Sequence, residues 1–446
     1  MPSGRSRLLS SCIAAAALVA GAVAPAAVTS ASAAAAAVAV AAAAAAEGLV
    51  PAPVCPQEQA IVGFPITPKN FIERPPVGLP YTISLSGALP DGLRVVSQPN
   101  APVALGVPTT SQRSTFTVVA VFRKGDGTTE TSSTDCTTVV QPSPVVNRIA
   151  GIDRYDQSVE VSRAGFSAAS VVYLASGEKF ADALSASAVA AEHHAPLLLT
   201  PAAGISSGVI GEIARLKPAD VVVVGGPASV SPAALSQLGT ATAATITRID
   251  GADRYAVSRN LIAHPAFGIP RADDVYLATG ANFPDALTAS PAAAQSGAPV
   301  LLVNGAESSL TGEESSTLAR LGAENAFIVG GENSVSKALQ TQLETSYTTT
   351  RFGGADRFEV SHTVNDAVFP AADDVYLASG TAFADALSGG VVAGLAGDPL
   401  YLTRQTCIDA GAASGIGRLL PHSLFVLGGT ATLDGEIDAL TICPAE

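Results

Sequence analysis

Three arginines recur at nearly equal spacing, Arg154, Arg254 and Arg357, and each follows an aspartate, Asp153, Asp253 or Asp356. A guanidinium fork grips a phosphodiester or a uronate through two parallel N–H bonds, so a recurrent Arg is a candidate for holding an anionic ligand. Other residues keep step with it: the carboxylates Asp182, Asp285 and Asp385, and the Gly-Gly pairs at 225–226, 330–331 and 428–429, of which Gly226, Gly331 and Gly429 join the candidate set. Structural readings stand beside the chemical ones. The Arg can pair with an Asp of its own or a neighbouring repeat to fix packing. The Asp before each Arg suits a helix N-cap, and a Gly pair without GxGxxG spacing suits a tight turn. His193, His194, His264, His362 and His422 do not recur in step, and HExxH, GxSxG and Walker patterns are missing, so neither an enzyme, a cofactor nor a metal is expected. The adjacent His193 and His194 read as a solvated helix end.

The elements that must position these groups are set by one phrase spoken three times: VVYLASGEKFADALSA from Val171, DVYLATGANFPDALTA from Asp274 and DVYLASGTAFADALSG from Asp374. Each copy is an apolar β-branched run, a Gly turn and a helix-favouring segment, hence strand, loop, helix. A run apolar throughout suits a strand buried on both faces of a parallel sheet. Three further blocks recur with a period of about a hundred residues. They are RIAGIDRY, RIDGADRY and RFGGADRF from Arg148, Arg248 and Arg351; APLLLT, APVLLV and DPLYLT from Ala195, Ala298 and Asp398; and VVVVGG, FIVGG and FVLGG from Val221, Phe327 and Phe425. Helix starts lie between them, with Ser231 as N-cap before Pro232 and a capping box from Thr311 to Glu314. The order β-α-β-α-β-α-β-α predicts an α/β fold of three tandem Rossmann-like, doubly wound units at 145–247, 248–350 and 351–446. Loops at the carboxyl ends of the strands then share one edge, the usual ligand crevice, with Asp153 and Arg154, Ser176 to Asp182, Thr200 and Gly225–Gly226 expected together in the first unit.

Residues 51–144 read differently, as short strands such as YTISL, TFTVVAVF and CTTVV between Gly, Pro, Asn and Asp turns, an all-β sandwich joined by a linker around Pro142 to Asn147. Arg5 and Arg7 before an apolar run, with an A-x-A site at Ala31 to Ala33, predict a secretory signal at 1–33, followed by an Ala-rich spacer at 34–50. An uncleaved anchor is the alternative, since the apolar run continues to about Ala46. Cleavage takes away two of the 24 Lys and Arg and none of the 38 Asp and Glu, leaving 22 against 38, a net charge of −16. Such a field repels nucleic acid and anionic membranes, so an anionic partner must be held by local Arg or backbone N–H groups. Once Cys12 leaves with the signal, Cys55, Cys136, Cys407 and Cys443 remain. Of the three pairings they allow, Cys55 with Cys136 and Cys407 with Cys443 keep each bridge inside one domain, as suits an exported protein.

The segments SLSGALPDGLRV and GVPTTSQRSTFTVVAVFRKGDG resemble the immunoglobulin-like modules of bacterial surface proteins. The four-block pattern, three times over residues 148–446, is similar to the cell wall binding repeat 2 family of Gram-positive surface proteins. That resemblance implies a pseudo-trimer of α/β repeats at the cell surface, attached non-covalently to anionic cell-wall polysaccharide or a teichoic-acid-type polymer, with the β module as spacer or adhesion domain. It also implies a polymer-facing place for Ser158, Ser258 and Ser361, which stand where the family has threonine after RY. Val303 replaces the Thr of Thr200 and Thr403, which makes the repeats unequal as ligand sites. Two other classes are expected to compete with this reading: a secreted glycan-active hydrolase and a self-assembling surface-layer component.

Overall fold

In a computed structural model, residues 50–96 and 102–444 are described. The signal at 1–33 and nearly all of the Ala-rich spacer lie outside the described residues. No helix among the described residues is long and apolar enough to cross a membrane.

The first module comprises β1 (Gln59–Ile61), β2 (Lys69–Asn70), β3 (Tyr81–Gly87), β4 (Leu93–Val96), β5 (Val103–Gly106), β6 (Gln112–Arg123) and β7 (Thr129–Gln141). They form two sheets, β1-β7-β6-β3 and β2-β5-β4. The long β6–β7 hairpin alternates in burial, turning Phe116, Val118, Ala120 and Phe122 inward, because successive side chains of a strand point to opposite faces. A disulfide from Cys55 to Cys136, with Cα atoms 5.5 Å apart, fastens the start of the module to β7.

The strand–helix alternation then runs as the blocks predict. The first period holds β8 (Val145–Ile149), α1 (Arg154–Gly165), β9 (Val171–Ser176), α2 (Phe180–Glu192), β10 (Leu197–Thr200), α3 (Ser207–Leu216), β11 (Asp220–Val224) and α4 (Pro232–Ala241). The second holds β12 (Thr245–Ile249), α5 (Arg254–Ala263), β13 (Asp274–Thr279), α6 (Pro284–Gln295), β14 (Val300–Val303), α7 (Gly312–Leu321), β15 (Asn325–Val329) and α8 (Lys337–Leu343). The third holds β16 (Thr348–Phe352), α9 (Arg357–Val368), β17 (Asp374–Ser379), α10 (Ala384–Ala396), β18 (Leu400–Thr403), α11 (Ala410–Leu419), β19 (Ser423–Leu427) and α12 (Gly435–Asp438). Caps explain several boundaries. Ser231 accepts from the Ala234 N–H with Pro232 at the first helical position, and Thr311 and Glu314 form the reciprocal capping box.

The sheets, however, do not coincide with the periods. Their orders are β10-β9-β11-β12, β14-β13-β15-β16 and β18-β17-β19-β8, all parallel. The first strand of each period completes the sheet of the period before it, and β8 completes the third sheet from the far end of the chain. The repeats therefore close into a ring. At its centre α2, α6 and α10 pack against one another, their Ala, Ser and Gly side chains permitting close approach. The rings of Phe180, Phe283 and Phe383, one from each start of these helices, form a triangle with centroids 5.6, 5.8 and 5.8 Å apart and mutually tilted planes, the geometry that aromatic quadrupoles favour.

The expected linker is shorter than Pro142 to Asn147, since β8 already begins at Val145. Backbone groups there find partners in sheet 3, so the chain has no free span to act as a tether. The β module itself is docked. Ile61 and Phe64 are buried in one cluster with Leu377, Tyr401, Ile416 and Val426 of the third period. A second disulfide joins Cys407 to Cys443.

Candidate functional site

Asp153, Asp253 and Asp356 are N-caps: their side chains accept backbone N–H groups of the first turns of α1, α5 and α9. Capping holds the next residue, the recurrent Arg, in one place. Its Nη1 donates to the carbonyl at the Gly turn of its own period, Arg154 to Gly177 (2.8 Å), Arg254 to Gly280 (2.5 Å) and Arg357 to Gly380 (2.6 Å). The guanidinium then lies over the Phe of the preceding period: Arg154 over Phe383 at 5.6 Å, Arg254 over Phe180 at 5.7 Å and Arg357 over Phe283 at 5.9 Å. So the Arg does reach a neighbouring repeat, but its nearest partner there is an aromatic face. Among the described residues none of the three makes an ion pair; the carboxylates of Asp385 and Asp285 act on Arg154 and Arg357 at longer range.

Those carboxylates are buried, with Asp182 8 %, Asp285 6 % and Asp385 7 % exposed. The Ser229 hydroxyl donates to Asp182; Ser334 and Thr432 take the equivalent places beside the Gly330 and Gly428 turns, and Oδ2 of Asp285 is buried without a hydrogen-bond partner among the described residues. The first Gly of each pair arches over the carboxylate in the left-handed region, with φ of +106°, +116° and +109° at Gly225, Gly330 and Gly428, and a Cβ there would collide with the Asp. The Gly pairs are thus required by a turn and a close approach, and Gly226, Gly331 and Gly429 lie half-buried at its rim. Burial raises the Asp385 carboxyl to about 6, against the opposing pull of Arg154 and Thr432. Burial likewise raises Asp285, opposed by Ser334 and Arg357.

Ser158, Ser258 and Ser361 do not face the crevice. All three are fully buried, and their Oγ atoms accept the N–H groups of Leu199, Leu302 and Leu402 at 2.9, 3.1 and 2.9 Å. A hydroxyl spent on a buried strand amide cannot reach an external polymer, so these positions hold helix to sheet. Thr200 and Thr403 likewise donate within their own loops, to Gly204 and Cys407.

The expected grouping within one repeat is also corrected. Because each period begins in its predecessor's sheet, Arg154 meets Phe383, Asp385 and the Gly428–Gly429 turn, whereas Asp182 and Gly225–Gly226 lie with Arg254. The crevices are between repeats. A second cation set escaped the sequence reading, though its recurrence was visible at the head of each first block. Arg148, Arg248 and Arg351 donate to the carbonyls of Gly428, Gly225 and Gly330 at 2.7, 2.5 and 2.7 Å, locking each Gly turn to the strand beside it. Their equal spacing carries no mark that separates a turn-locking Arg from a crevice Arg.

The threefold recurrence of these blocks is matched by a family model. The family model described as Cell wall binding domain 2 (CWB2) covers residues 148–235, 248–340 and 351–438. The chain belongs to the CWB2 family. Among curated proteins, it is 26 % identical over 292 residues to N-acetylmuramoyl-L-alanine amidase LytC of Bacillus subtilis, covering 66 % of this chain and 57 % of that protein. It is 27 % identical over 295 residues to the Amidase enhancer of the same organism, 66 % of this chain and 40 % of the relative. The chain thus spans about half the length of these relatives. Cwp6 from Clostridium difficile shares the fold at a TM-score of 0.62 and 20 % identity, over 87 % of this chain and 68 % of that one. Cwp8 from the same organism does so at 0.59 and 21 %, over 81 % and 63 %.

Proposed function

We propose that this chain is an exported surface protein that holds non-covalently to an anionic cell-wall polymer, of polysaccharide or teichoic-acid type, through the seams between its CWB2 repeats. The observation that carries the reading is the threefold Arg. Each fork is held by one loop carbonyl and one aromatic face and stays exposed (Arg154) or half-buried (Arg254 and Arg357), so a phosphate or carboxylate can take two of its remaining N–H groups. On a chain of net charge −14 a long-range field cannot gather such a ligand, so local forks must. Three seams on one ring add by multivalency, each further contact being intramolecular once the first is made. A hydrolase would need an accessible acid, and the two carboxyls that burial raises to about 6, Asp385 and Asp398, are both buried. The β module, read as immunoglobulin-like, serves as a domain carried on the wall-bound ring.

Co-sedimentation with purified cell walls tests this. The full chain is expected to pellet at low salt and to be released as salt rises. The variant with Arg154, Arg254 and Arg357 all changed to Gln is expected to stay in the supernatant at a temperature where circular dichroism shows it folded. A folded triple variant that pellets like the parent sinks the reading.

A further inference from the structure

The three seams have equivalent residues but not equivalent connections. β12 and β16 are each delivered to their sheets by a helix of that same sheet, α4 and α8, so local chain continuity keeps them in place. β8 has no such helix. It is the edge strand of sheet 3, pairs with β19 alone, leaves Val145 63 % exposed, and bonds to residues about 280 positions away. Yet Arg154, on the helix that follows β8, has to meet Phe383 and Asp385 of the third period for its seam to exist.

The equivalent helix of sheet 3, α12, is present and pairs with β8 through Arg148 and Asp438 at 2.8 Å, but it lies at the other end of the chain, so the covalent lead-in to β8 is the β module. Val146 of β8 packs on the cluster that buries Ile61 and Phe64. The three residues between β7 and β8 are tied back, since Ser143 Oγ donates to the Val62 carbonyl at 3.2 Å and the Val62 N–H donates to Gln141 at 3.0 Å. The receiving helix is adapted to this. α11 carries Gly415 and Gly417 where α3 has Glu212 and Ala214 and α7 has Thr317 and Ala319. A Cβ on Gly417 would collide with the Pro65 carbonyl, and one on Gly415 with the Tyr401 hydroxyl. The helices of the other two periods have no such recess.

We propose that the β module is an intramolecular clamp: docked on α11 and the outer face of sheet 3, it holds β8 in register and so keeps the Arg154 seam assembled. It is thereby a positioning element for one of three binding seams. The clamp itself is a property of the fold, and its effect on binding rests on the polymer reading.

The test uses the full chain with Phe64→Ser, Gly417→Val, or both, and follows release of the β module by the radius of gyration in X-ray scattering. Hydrogen exchange is read at the amides of β8, with β12 and β16 of the same molecule as internal controls. Release is expected to speed exchange in β8 by about tenfold or more while β12 and β16 keep their rates. A released module with β8 exchange unchanged, or with all three strands accelerated alike, overturns the clamp. For the binding arm, Arg154→Gln is expected to weaken wall binding in the parent and to have no further effect in the released variant, whereas Arg254→Gln weakens both. If neither Arg substitution alters wall binding, the polymer reading fails, and the exchange experiment still decides the clamp.

Discussion

Asp385 offers a perturbation whose sign changes with pH. Its carboxyl is 7 % exposed, and burial raises its pKa from 3.8 to about 6. A raised folded-state pKa means that the folded chain holds the proton more tightly than the unfolded chain. The stability so gained is complete below 3.8 and is lost as pH rises through about 6. At about 1.36 kcal/mol per pH unit, ionised Asp385 at pH 7 costs on the order of 3 kcal/mol relative to the same group in the unfolded chain. Asp385→Asn keeps the shape, keeps an acceptor for Thr432 and removes the charge. Its amide donors gain no partner beneath Gly428, an omission worth about 1 kcal/mol. The variant is therefore expected to be more stable than the parent by about 2 kcal/mol at pH 7 and less stable by about 1 kcal/mol at pH 4, where the parent's carboxyl is also neutral. The chain has no Trp, so urea unfolding is followed by far-ultraviolet circular dichroism between pH 4 and pH 8. A stability difference of the same sign and size at both ends of that range refutes the argument that burial, and not the Gly turn alone, governs this carboxylate.

Two further outcomes follow from the packing. Ser258→Ala leaves the Leu302 N–H without its acceptor in a fully buried place, so unfolding midpoints should fall by the equivalent of about 1–3 kcal/mol, with wall binding at low temperature unchanged. Loss of wall binding without loss of stability would return that serine to the ligand site. Replacing Cys407 and Cys443 by Ser opens a loop of 36 residues, for which the chain-entropy estimate is a loss of about 4 kcal/mol, checked as a fall in urea midpoint for the oxidised parent against the variant. Equal midpoints would mean that the bridge adds nothing to sheet 3.

Much of the architecture was legible along the chain because it is locally encoded. Strands buried on both faces show as unbroken apolar runs, and helices start where a capping Asp, Ser or Thr meets N–H groups two or three residues on, as at Asp153, Ser231 and Thr311. The Gly-Gly turns were legible for the same reason, although their cause, a buried Asp pressed beneath a left-handed Gly, was not. Both disulfides agree with pairing inside one module.

Which copy of a repeated element meets which was not legible. Three near-identical periods offer the same local pattern to their own sheet and to a neighbour's, so nothing local distinguishes β12 beside β11 from β12 beside β15. Only the closed ring settles it, and with it the pairing of Arg154 with Phe383 and of Arg254 with Phe180. The direction of Ser158, Ser258 and Ser361 was equally hidden, since a helix's inward face depends on what packs against it. Sequence alone thus determined the elements, their order and the recurrence of a cationic fork. Tertiary structure decided that the fork belongs to seams between repeats, and that one of those seams is closed by residues of the first and third periods.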